Sequence, residues 1–136
     1  MANYKIAEIE GIGKQYAAKL EKAGVSTTDD LLEKGATRKG RQELADATGI
    51  SGDLILKWVN AADLFRVPGI GSEYAQLLEK AGVDSVKELR NRKPENLHAT
   101  LAQVNEKHKL VRKLPGLSQV EGWVKAAKEL EPVIKY

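Results

Sequence analysis

Two short segments carry the residue types needed to hold an anion with the backbone alone. Gly11-Ile12-Gly13-Lys14 and Gly69-Ile70-Gly71-Ser72 each set glycine, isoleucine and glycine ahead of a stretch with helical periodicity. A glycine can take turn conformations that a side chain forbids, and a second glycine lets another group come close to the bare backbone. A helix that begins directly after such a turn has first-turn N–H groups with no intrahelical partner, and these carry partial positive charge. That combination suits a phosphate. Lys14 adds a cation to the first segment and Ser72 a hydroxyl donor to the second, whereas Glu73 adds a charge that repels anions. The same turn is also a plain way to reverse the chain between two helices, and the residues leave both readings open.

Other chemistry is poorly supplied. There is no cysteine, which excludes disulfides, thiol nucleophiles and cysteine-based zinc sites together. His98 and His108 stand ten residues apart without carboxylates at metal-ligand spacing, so they read as surface or helix-end residues, and no metal is expected. Gly11 to Tyr16 is not a dinucleotide fingerprint, because a tyrosine replaces the third glycine and no strand precedes it. No Ser/His/Asp or Glu/Lys constellation is present. The expectation is therefore a binding protein with no catalytic residue, no enzymatic activity and no cofactor.

The elements that must position the two turns follow from an internal repeat. Residues 11–25, GIGKQYAAKLEKAGV, and residues 69–83, GIGSEYAQLLEKAGV, agree at 11 of 15 positions, at an offset of 58. Thr27–Leu31 aligns with Ser85–Leu89 at the same offset. Trp58-Val59-Asn60-Ala61-Ala62 resembles Trp123-Val124-Lys125-Ala126-Ala127 at an offset of 65, so the second copy has gained about seven residues between the two. The reading is a duplicated unit, residues 1–65 and 66–136, with no flexible linker at the junction Ala62–Gly69. The two units should pack as one rigid body.

No stretch alternates with period two, so the fold class is all-α, with close to five helices per unit. Ala17, Leu20 and Ala23, then Ala75, Leu78 and Ala81, recur at helical spacing, and Gly24 and Gly82 suit the left-handed residue that ends a helix. Thr27 with Asp30 reads as a weak cap, and Ser85 with Glu88 as a full capping box. Further helices are expected over 38–48 and from Pro94 to about 106. Trp58 and Trp123 lie on apolar helix faces and read as core. A second, weaker hairpin signal precedes each Trp-bearing helix, at Thr48–Ser51 and Leu114–Ser118. Tyr16 and Tyr74, at equivalent places, read as packing residues.

Charge is uneven. The formal net charge is +3, yet residues 1–65 hold 9 Lys/Arg against 10 Asp/Glu, and residues 66–136 hold 13 against 9. Lys87, Arg90, Arg92, Lys93, Lys107, Lys109, Arg112 and Lys113 make residues 87–113 basic. A one-sided excess can draw a polyanion, or it can be an ordinary solvated surface. No apolar run is long enough to cross a membrane, and the N-terminal residues carry no secretory pattern, so a cytoplasmic location and no membrane partner are expected.

Ile9-Glu10-Gly11-Ile12-Gly13, continuing through Ala17, Leu20 and Ala23-Gly24-Val25, resembles the helix-hairpin-helix motif of DNA repair and replication proteins. Val67-Pro68-Gly69-Ile70-Gly71, continuing through Ala75, Leu78 and Ala81-Gly82-Val83, resembles it more closely, because it includes the proline. The whole chain is also similar to an uncharacterised bacterial family of tandem units with no established activity. The motif resemblance implies that the hairpins grip a DNA backbone without reading bases. The implied contacts are Gly11, Ile12, Gly13 and Lys14, then Gly69, Ile70, Gly71 and Ser72, extended by Arg90, Arg92, Lys93, Lys107, Lys109, Arg112 and Lys113. Nucleic acid, bound without regard to sequence, is one expected partner. A protein partner, with the hairpins serving only as turns, is the other. The residues do not fix the oligomeric state.

Overall fold

The computed structural model describes residues 3–136. Among them a 3-10 turn, Ile6–Glu8, precedes eight α-helices: α1 Lys14–Lys22, α2 Thr28–Gly35, α3 Arg38–Thr48, α4 Gly52–Leu64, α5 Ser72–Lys80, α6 Val86–Leu89, α7 Pro94–His108 and α8 Leu117–Glu129. The class is all-α. The only β pairing among the described residues is one isolated antiparallel bridge, Lys5 to Thr27. Four helices fall on each side of the junction rather than about five, because each weak second hairpin is only a link between helices.

The repeated sequence produces repeated backbone. Gly11 and Gly69 take φ of +94° and +90°, and Gly24 and Gly82 take +87° and +92°. The amide of Ile12 donates to the Ile9 carbonyl at 3.1 Å, and that of Ile70 to the Val67 carbonyl at 3.1 Å. Apolar residues at the same register anchor both turns. Ile6, Ile9 and Ile12 in the first, and Leu64, Val67 and Ile70 in the second, are all buried.

Two local expectations are corrected. Thr27 and Asp30 form the complete capping box, each side chain serving the other residue's backbone. Ser85 accepts from the Glu88 amide, but Glu88 does not reciprocate. Its carboxylate instead accepts from Arg92 at 2.9 and 3.1 Å, a charge-assisted contact that outcompetes a neutral amide. The second correction concerns the weak hairpin signals. Gly49 does end α3 in the left-handed region, at φ +74°, but Gly116 is extended, at φ −72°. The left-handed residue that ends α7 is Lys109, at φ 52°. The extra residues of the second half thus form a longer link, residues 109–116, where the first half has residues 49–51.

Packing joins the halves into one compact body. Helices α2 and α4 pack together, as do α7 and α8, and α4 also meets α5 across the junction. Trp58 and Trp123 are 1% and 2% exposed, as expected for core residues. After α8 the chain runs back over the molecule. The Lys135 amide donates to the Ala36 carbonyl at 2.7 Å, Arg41 donates to the Lys135 carbonyl at 2.9 Å, and the Tyr136 hydroxyl donates to Asn60 Oδ1 at 2.6 Å. No helix among the described residues is long and apolar enough to cross a membrane.

Candidate functional site

Each hairpin turn feeds straight into a helix whose first residue has no side-chain cap. Gly13 and Gly71 stand at the N-caps of α1 and α5, and no side chain hydrogen-bonds there. Thr27, Thr37, Ser51 and Ser85 supply that bond to α2, α3, α4 and α6, whereas α7 and α8 begin uncapped like α1 and α5. The first-turn amides of α1 and α5 are therefore open to an outside acceptor. Gly13 and Gly71 are not in the left-handed region, with φ of −83° and −109°. A methyl group added at either would meet nothing within 4 Å. Among the described residues nothing fills the room these two glycines leave, so the bare backbone there is available to an approaching group.

At the second hairpin the surroundings are basic. Gly69, Gly71 and Ser72 line one surface concavity together with Glu73, Tyr74, Arg112 and Lys113. The longer link, residues 109–116, makes this possible. Tyr74 pins it, its hydroxyl donating to the Lys113 carbonyl at 3.0 Å. Two cations thus face the single negative charge of Glu73. The first hairpin has Lys14, exposed beside Gly11 and Gly13, but its shorter link of Gly49, Ile50 and Ser51 brings no cation. Ile12 and Ile70 are buried, so they shape the turns and do not present side chains to a ligand.

The remaining basic residues do not gather at the hairpins. Arg92 donates to Glu88 and to the Gly82 carbonyl at 3.2 Å, closing the end of α5. Lys34 does the same at the end of α1 through the Ala23 carbonyl, at 3.4 Å. Arg90 reaches the Lys128 carbonyl at 3.4 Å. Lys93 is the N-cap of α7, Lys107 lies in its last turn, and Lys109 ends it. None of these six lines the concavity.

The two tyrosines pack as their equivalent positions suggest. Tyr16 packs on Trp58 with ring centroids 5.1 Å apart and planes at 59°, and Tyr74 packs on Trp123 at 5.2 Å and 57°. Packing is the role expected of them, but Tyr74 also holds the basic link. Its matched position in the repeat was the available signal; the link it grips belongs to the part of the repeat that diverged.

The hairpins also share a seam. A small cavity is lined by Ile9 and Glu10 before the first turn, by Lys57, Trp58, Ala61 and Phe65, and by Ser72, Ala75 and Gln76 at the start of α5. Both turns therefore border one region of the molecule. No group of three or more His, Asp or Glu side chains among the described residues is placed to hold a metal ion.

These features define an all-helical protein with two matched glycine turns, each opening the N-terminus of a helix. The chain belongs to the family described as domain of unknown function DUF4332, whose model matches residues 10–130. No solved structure matches it.

Proposed function

We propose that this chain is a non-catalytic module that holds the phosphate backbone of duplex nucleic acid without reading its bases. The observation that carries this reading is the concavity at the second hairpin, where uncapped amides at Gly71 and Ser72 stand with Arg112 and Lys113. Open N–H groups at a helix start attract an oxyanion, and two cations on the same rim strengthen the attraction. The open space over Gly13 and Gly71 supports close approach of a backbone. The resemblance of both turns to the helix-hairpin-helix motif points the same way, as does the excess of basic residues in the second half.

One observation favours a second reading, a protein-interaction scaffold in which the hairpins are only turns. Glu73 lines the concavity as well, and the net charge is only +3. Two cations against one carboxylate leave the local balance positive, so we place the scaffold second. A cytoplasmic location fits either.

Fluorescence anisotropy with two unrelated short duplexes, at several salt concentrations, decides between them. The expected affinity is on the order of micromolar, equal for both duplexes and falling steeply with salt. Lys14→Glu, or charge reversal of Arg112 and Lys113, weakens binding and flattens the salt slope, whereas Glu73→Lys strengthens it. Absence of binding at low salt with micromolar protein sinks the nucleic-acid reading.

A further inference from the structure

Both buried tryptophans end at a hairpin. A Cβ placed on Gly11 would stand 3.6 Å from Trp58 Nε1, and one placed on Gly69 would stand 3.2 Å from Trp123 Nε1. An indole N–H can only donate, and a buried one ordinarily has a partner. Neither indole N–H has a protein acceptor among the described residues. Yet every fully enclosed side-chain nitrogen or oxygen there is hydrogen-bonded. Each indole nitrogen therefore keeps a narrow opening to the outside, although Trp58 and Trp123 as whole residues are only 1% and 2% exposed. The arrangement occurs twice, at equivalent positions, with the same tyrosine stacked on the same ring.

Simple packing does not require this. A phenylalanine or leucine would fill an apolar site without placing a polar N–H at its edge. The glycine beside each indole has a second consequence besides its positive φ. A side chain at position 11 or 69 would bring its Cβ to 3.6 or 3.2 Å from the indole nitrogen and narrow the approach to that donor, which glycine leaves wider.

We infer that the indole N–H groups of Trp58 and Trp123 are ligand-binding donors, each adding a hydrogen bond to a phosphoryl oxygen held at its hairpin. The inference rests on the phosphate-binding reading above and adds to it two residues that charge and motif do not point to. Donors at each site would then come from two directions. The first-turn amides of the following helix face the anion from one side, and the indole N–H reaches it past the glycine. A rigid aromatic donor loses little conformational freedom on binding, unlike an exposed lysine. It would give the weakly charged first hairpin a grip that does not depend on cations.

The chain has only two tryptophans, so a nitrogen-15-labelled sample gives two indole N–H resonances to follow. Titration at low salt with a short duplex, and separately with inorganic phosphate, is expected to move the Trp123 indole resonance together with the backbone amides of Gly69, Gly71 and Ser72. The Trp58 indole is expected to move with Gly11, Gly13 and Lys14. Trp123→Phe keeps a ring against Tyr74 while deleting the N–H, and is expected to weaken duplex binding about tenfold. If the amides move while both indoles stay fixed, the tryptophan inference is overturned and the phosphate-binding reading survives. If neither probe moves the amides, that reading fails and the inference with it. If phosphate moves the indoles and the duplex does not, the donors stand but nucleic acid is excluded as their source. Should Trp123→Phe not fold, the titration of the parent protein decides alone.

Discussion

Arg66 donates to one carboxylate oxygen of Asp63 at 2.8 Å, and the two side chains are only 7% and 5% exposed. The other oxygen of Asp63 accepts the Val86 amide at 2.9 Å, at the start of α6. The second arm of Arg66 reaches the Glu131 carbonyl at 2.8 Å. One buried ion pair thus ties the end of α4 to the second half and to the returning C-terminal segment. A buried pair is weak evidence for stability in itself, but breaking one leaves an uncompensated charge.

Removal of one partner is therefore expected to cost much more than the pair is worth. Asp63→Ala should destabilise the protein by about 3–5 kcal/mol, because Arg66 stays buried without its counter-charge. The double change Asp63→Leu with Arg66→Met should recover part of that loss. The Val86 amide still lacks its acceptor in the double variant, so recovery should be incomplete. Urea unfolding of the three proteins measures both effects, and equal stabilities for the single and double variants would contradict this account.

Two glycines inside helices should respond to alanine with opposite signs. At Gly35, in α2, an added Cβ would run into Cγ2 of Val59 on α4, so the glycine is there to let two helices approach. Overpacking of that contact should cost about 1–3 kcal/mol despite alanine's better helix propensity. At Gly122, on the exposed face of α8, an added Cβ would meet nothing within 4 Å. There the same change should stabilise by about 0.5–1 kcal/mol. Thermal melts of Gly35→Ala and Gly122→Ala should shift in opposite directions.

The tryptophans carry a second, separable prediction. Trp58→Ala and Trp123→Ala each remove an enclosed ring together with its stacking partner's contact. Each should cost about 3–5 kcal/mol, measured by chemical unfolding. A variant that melts like its parent would show that the ring does not belong to the core.

Acid should loosen the turn before α2. The Asp30 carboxyl is held below its usual value of 3.8, first by the Ser26 amide donating to it and then by that of Thr27. A lowered folded-state pKa contributes stability that is present above 3.8 and is lost as pH falls through the folded value. Asp30→Asn should therefore lower stability near neutral pH and make the acid limb of the stability curve shallower. Unfolding followed from about pH 7 to about pH 3 tests it, and an unchanged acid limb would rule Asp30 out as a contributor.

How much was legible in the chain itself depends on how local the physics is. The helix class, the positive φ at Gly11, Gly24, Gly69 and Gly82, and the burial of Trp58 and Trp123 follow from short-range signals. A glycine before a helical period, an apolar stripe and a threonine or serine cap act within a few residues, so spacing alone reveals them. The capping boxes show where this stops. Ser85 and Glu88 have the right spacing, but Arg92 takes the carboxylate, and competition between two partners is not visible in a pattern that names one.

The grouping of residues around the second hairpin is a tertiary outcome. Arg90, Arg92, Arg112 and Lys113 look alike in a list of basic residues. Folding commits Arg92 to a helix end and Arg90 to a carbonyl, and it brings Arg112 and Lys113 to Gly69 because Tyr74 grips their loop. The C-terminal residues gave no sign that they return to Ala36 and Asn60. The uncovered indole nitrogens are equally silent in sequence. Which side chains end beside a turn, and which donors find no partner, depends on contacts between residues 39 to 54 positions apart. Chain periodicity does not encode such distances, and only packing of the whole core sets them.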